Sequence, residues 1–219
     1  NRLFDFDQHM SVIIGNNTAG KTTLLRALRV GLGAYLQSLP KLATGPSYRC
    51  NFVDSDRREV YNSVMLEYQR SKANPKVSVH ADMMLTSHGA NDEFIFSHKS
   101  INWYREYTAG NTTTHNRNCV GELSAMVESM DMSRRNNMPV VLPVVMSFSS
   151  NRWGKAGRSF QKVKDREQRI DKAYRDALKD LLDFKSVMDW VNAYERRTKE
   201  GREFKGVMEA FLNAIHDAI

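Results

Sequence analysis

Gly15-Asn16-Asn17-Thr18-Ala19-Gly20-Lys21-Thr22 sets two glycines, a lysine and a hydroxyl at the spacing G-x-x-x-x-G-K-[ST]. Those residue types in that order do one kind of chemistry, which is to hold phosphates. Gly15 and Gly20 let the backbone turn tightly and approach an anion with no side chain between. The amide N–H groups of Asn16, Asn17, Thr18, Ala19 and on into Thr23 can then converge as an anion nest. Lys21 adds a compact positive charge for β- and γ-phosphates, and the Thr22 hydroxyl can ligate Mg²⁺. The expected ligands are therefore ATP and Mg²⁺, with Thr22 as the metal ligand.

Such a loop is expected between a strand and a helix. Met10-Ser11-Val12-Ile13-Ile14 is short, apolar and β-branched, which predicts a buried parallel strand. Leu25, Leu28, Leu32, Tyr35, Leu36 and Leu39 recur at three- and four-residue spacing, so a helix is predicted from near Thr22, its N-terminus aimed at the phosphates. A chance glycine-rich turn before an ordinary helix is the competing interpretation, and both flanks argue against it. Gly31 and Gly33 sit late in this helix, where each costs roughly 1 kcal/mol. Either they admit a close neighbour or the helix loosens there.

The rest of the chain must support that site. Phe4 and Phe6, alternating with Asp5 and Asp7, predict an edge strand or hairpin. From about 51 to 107 the period becomes two, with Val64, Leu66 and Tyr68 in one run and Val77, Val79, Ala81, Met83 and Leu85 in another. Phe94 with Phe96, and Ile101 with Trp103, predict two more short strands around a turn at Ser97–Ser100. Strands in close succession predict an antiparallel meander. Thr112–Thr114 is a candidate N-cap cluster for a helix to about Met132, burying Val120, Leu123, Met126, Val127 and Met130. Val144–Phe148 predicts another buried strand of the core sheet. The basic stretch Arg152–Arg169 predicts a mobile loop leading into a helix, and two amphipathic helices follow at about Lys179–Lys199 and Glu203–Ile219.

Bulk properties set limits. The 219 residues, 41% hydrophobic and 26% charged, suit a globular domain. Cys50 and Cys119 are too few for a disulfide framework and fit a reducing, cytoplasmic setting. No apolar run of ~18 residues predicts a membrane span, and no signal peptide precedes the first predicted strand. A net charge of +7 permits nucleic-acid contact without requiring it. His9, His80, His88, His98, His115 and His216 show no metal-ligand spacing; His80, on a polar strand face, is most simply a surface residue. Hydrolysis would also need an acidic strand, an Asp for Mg²⁺ and often a Glu for water, and no such pattern occurs. Val187-Met188-Asp189-Trp190 comes nearest, in helical surroundings. Leu123-Ser124-Ala125 reads as core packing.

Phe4–Asp7 followed by Val12–Leu25, with Asn17 inside the loop, resembles the N-terminal lobe of ABC-type ATPases of the SMC, Rad50, RecF and OLD group. The predicted antiparallel segment is similar to that lobe's β-subdomain. More narrowly, Ile101-Asn102-Trp103-Tyr104-Arg105 with Thr112-Thr113, Leu142–Met146 before Asn151-Arg152, Asp189-Trp190 and the Phe204–Ile215 helix resemble ATPase subunits of Septu-type and retron-associated anti-phage systems. The fold class expected is α/β: residues 1–219 as a P-loop NTPase lobe with a parallel or mixed core sheet, an inserted antiparallel β-subdomain at about 51–107 and a helical part at about 155–219.

The resemblance implies a homodimer through the ATPase heads, an HNH nuclease held in check or licensed, and in retron versions a reverse transcriptase with its RNA–DNA product. It implies that the signature, the acidic strand and the switch histidine follow Ile219 in a longer protein. The group's glutamine-bearing sensor loop should follow Val144–Phe148; Ser149-Ser150-Asn151-Arg152 stands there instead, with Asn151 the candidate substitute. The leading expectation is a regulatory ATPase subunit of a nuclease-containing defence complex. The alternative is a DNA-repair ATPase of the RecF or Rad50 kind that dimerises on DNA, although no heptad arrays are visible. A small-molecule kinase is disfavoured by the long antiparallel insertion.

Overall fold

Leucine-rich and free of proline, residues 21–38 form helix α1 (Lys21–Ser38) in the computed structural model of the chain. The structure describes residues 2–40, 45, 48–88, 94–108, 110, 112–136, 138, 140, 142–147, 174 and 177–179. Apart from Lys179 these belong to one compact unit, Asn1–Ser147 with Arg169–Leu178. The expected basic loop at Arg152–Arg169, Asn151, Asp189 and the helices predicted from about Lys179 onward lie outside the described residues. α1 ends where expected: Leu39 is extended (φ −67°, ψ 120°) because the residue before a proline, here Pro40, avoids helical geometry.

The two glycines of α1 have a packing reason. A Cβ on Gly31 would lie 2.8 Å from a Val79 methyl, and one on Gly33 would lie 3.0 Å from the Cys50 carbonyl oxygen. Each glycine admits a close neighbour and the helix continues through both.

The alternating region is antiparallel, as expected, but it is two separate hairpins rather than one meander. β1 (Glu59–Asn62) pairs with β2 (Glu67–Arg70), and β3 (Lys76–His88) pairs with β4 (Phe94–Glu106). Val64 and Leu66 do not extend a strand. They lie in the β1–β2 turn, where Leu66 adopts φ 51°. Nor is there a turn at Ser97–Ser100: β4 runs unbroken through it, because its partner β3 is equally long and supplies a ladder position for each residue. Val77, Val79, Ala81 and Met83 pack inward with Ile101 and Trp103 from β4, while His80 and Asp82 face solvent.

α2 (Arg117–Arg135) buries Val120, Leu123, Met126, Val127 and Met130 as predicted. Its cap is Asn116, not the threonine cluster; the Asn116 side chain accepts the Cys119 N–H at 3.2 Å. Thr113 instead bridges to Tyr107, and the Thr113 hydroxyl accepts the Phe52 N–H. The core lies between the second half of α1, residues 48–52, the inner face of β3–β4 and α2.

A buried arginine ties these layers together. Arg105 is fully buried and points inward from β4. Its guanidinium donates to the carbonyls of Val30 (3.2 Å), Cys50 (2.9 Å) and Thr114 (3.2 Å), and to the side-chain oxygens of Gln37 (3.3 Å) and Asn51 (2.8 Å). A guanidinium has five N–H donors, so its capacity is met without a carboxylate. Burial pushes its pKa down to about 10, the nearby Cys50 partly offsets this, and it stays charged at neutral pH. Trp103 adds a bond from Nε1 to the Gly31 carbonyl at 2.9 Å.

Three strand expectations fail. Met10–Ile14 forms no strand, and Met10, Val12 and Ile14 are 75%, 70% and 90% exposed. The Asp7 carboxylate takes the His9 and Met10 N–H groups into a local turn, and among the described residues no strand lies beside the segment. Phe4 and Phe6 are likewise outside any strand. The described part of Val144–Phe148 is also irregular: the Ser147 N–H goes to the Ala177 carbonyl, and the Tyr174 hydroxyl donates to the Pro143 carbonyl at 2.6 Å. Among the described residues, then, no parallel pair is present and both sheets are antiparallel.

Candidate functional site

The sequence motif becomes a loop that turns directly into α1. Gly20 is the N-cap residue at φ 87°, ψ 15°, a left-handed conformation that costs glycine nothing and would strain other residues. A Cβ there would meet no other group within 4 Å, so backbone torsion rather than crowding demands glycine. Thr18 is also left-handed, at φ 70°. The Ala19 N–H closes a turn onto the Asn16 carbonyl at 3.2 Å. A Cβ on Gly15 would come within 3.2 Å of the Ala19 Cβ, so the two arms of the loop lie close together.

Lys21 folds back over this turn. Its Nζ donates to the Gly15 carbonyl at 2.6 Å and to the Asn16 carbonyl at 2.7 Å. An ammonium has three donors, so two fix its place above the loop and the third remains for a phosphate oxygen. The first turn of α1 has no acidic residue and its N-cap makes no side-chain capping bond. Its leading N–H groups therefore face outward with the positive end of the helix dipole. Gly15 through Gly20, Thr22 and Thr23 are all exposed. Paired glycine turns, open amides and a pinned ammonium are the groups an anion site requires. Thr22, the expected Mg²⁺ ligand, is exposed in the first turn of α1.

Gly15, Asn16, Asn17, Thr18, Ala19, Gly20, Lys21, Thr22 and Thr23 are thus brought together as one continuous element. Asn151, the candidate sensor, is not among the described residues. The supports of the site are less visible in sequence. Arg26 donates from Nη2 to the Asn51 carbonyl at 2.6 Å and to the Asp56 carboxylate at 3.3 Å. The signal for Arg105 was available: it shares the inward register of Ile101 and Trp103 on a period-two strand. No comparable sequence signal marks Arg26, whose partners lie 25 and 30 residues away.

A family model described as an AAA domain matches residues 1–209, nearly the whole chain. No curated protein matches. The match carries a P-loop NTPase α/β fold and a general ATP-binding ATPase function, in a family that binds ATP with Mg²⁺. No described helix is long and apolar enough to cross a membrane.

Proposed function

The chain belongs to the AAA domain family, and within it we propose a regulatory ATPase subunit of an anti-phage defence complex. It binds ATP at the Gly15–Thr22 loop and controls an associated nuclease. The loop geometry carries the nucleotide part: Lys21 pinned by the Gly15 and Asn16 carbonyls at the open end of α1. The resemblance of the sequence to Septu-type and retron-associated ATPase subunits supports the defence part. On that reading two copies pair through their ATPase heads, an HNH nuclease is the effector, and a reverse transcriptase with RNA–DNA joins in retron versions.

Binding and turnover are separable here. The loop supplies affinity, whereas hydrolysis needs an acidic strand that the motif does not contain. Calorimetry with ATP and Mg²⁺ tests the first step: the parent should bind, and Lys21→Ala should not. Equal affinity in the two would remove the site assignment. Phage plating tests the second, using cells that express the chain with an HNH nuclease of its own locus. Restriction should be lost in Lys21→Ala; ATP-dependent dimers on duplex DNA with no effect on plating would favour the repair reading.

A further inference from the structure

The phosphate loop and the first turn of α1 project from the core. Thr22, Thr23 and Leu25 are exposed, and full burial of α1 begins only at Val30. Burial covers this first turn only in part, which leaves polar contacts a share in fixing where the open amides point. Arg26 lies five residues after Lys21, about 7.5 Å along the helix at 1.5 Å per residue. Its side chain is three-quarters covered, at 26% exposure. The guanidinium forks onto both oxygens of Asp56, at 3.4 and 3.3 Å, reaches the Asn51 carbonyl at 2.6 Å and lies 3.4 Å from the Cys50 sulfur. Asp56 is held in turn, since its carboxylate accepts the Val53 N–H at 2.8 Å inside the 3₁₀ turn Asp54–Asp56. The fork therefore joins two fixed backbones.

We propose that Arg26, braced by Asp56, is a positioning residue for the nucleotide site: it sets the direction of the α1 N-terminus and with it the phosphate-binding amides. This rests on the reading that the loop binds ATP. An anion site made of backbone dipoles depends on alignment, so a small misplacement weakens it even when the phosphates still touch the same groups.

The test measures ATP–Mg²⁺ dissociation constants at a temperature where every variant is folded. Arg26→Met and Asp56→Asn should each weaken binding ~5-fold or more, the lower range of coupling between linked sites. Arg26→Lys keeps the charge but not the fork and should fall between. Leu39→Ala, at the buried C-cap of α1, serves as the structural control: it should lower the melting temperature and leave affinity unchanged. Parent-like affinity in Arg26→Met and Asp56→Asn overturns the proposal, as does an equal loss in Leu39→Ala, which would mean general loosening. A parent that binds no ATP while remaining folded removes the nucleotide reading first and this inference with it.

Discussion

The two ends of α1 live in different environments. At the start, Gly20 and Lys21 leave amides open, and Thr22, Thr23 and Leu25 meet solvent. At the far end Val30, Ala34 and Leu36 are fully buried, and the Val30 and Gly31 carbonyls accept bonds from Arg105 and Trp103. One helix thus carries a working end that cannot be covered and an anchoring end that must be. A phosphate site needs unsatisfied N–H groups, so it contributes little to stability by itself. The anchoring end supplies rigidity through packing and a polar fork.

If this contrast holds, perturbations should separate stability from binding. Arg105→Ala should have the largest effect, ~3–5 kcal/mol, because it strands buried acceptors on three segments. A urea midpoint near that of the parent would show that the fork is incidental. Gly31→Val should follow at about 1–3 kcal/mol, since its Cβ alone already falls 2.8 Å from Val79. An unchanged thermal midpoint would mean that β3 yields readily where the two meet.

His115 sharpens the comparison through pH. Burial, with Arg105 and Arg49 adding repulsion, holds its pKa below the usual 6.5, and its buried Nδ1 has no hydrogen-bond partner. In that window the unfolded chain binds more protons than the folded one. Stability should therefore decline as pH falls below about 6.5, and His115→Gln should flatten the decline. A parent curve as flat as the mutant's would contradict this. Lys21→Ala should change stability least, within ~0.5 kcal/mol, because its ammonium sits at the exposed end. It should nonetheless abolish ATP binding. A large loss of stability there would collapse the distinction between the two ends.

Local patterns were legible where neighbouring residues decide the structure. The glycine spacing announced the loop, the three-and-four spacing announced α1, and the stripe from Val120 to Met130 announced the buried face of α2. The failures were of another kind. Met10–Ile14 and Val144–Phe148 have the composition of buried strands, but a strand is a relation to a partner, and none lies beside them among the described residues. The expected break at Ser97–Ser100 failed for the opposite reason, since the long β3 carried β4 straight through. The threonine cluster lost its capping role to Asn116, which immediately precedes the helix.

Residue order alone determined that a tight glycine turn with a folded-back lysine opens α1, because backbone torsion at Gly20 and the five-residue reach of Lys21 to Asn16 are short-range properties. Tertiary structure alone decided what holds that turn in place. Arg105 finds acceptors up to 75 residues away, and Arg26 finds Asp56 at a separation of 30. Such pairs cost loop-closure entropy, offset only when the whole core closes around them, so the local pattern shows that Arg105 faces inward but not which acceptors it meets.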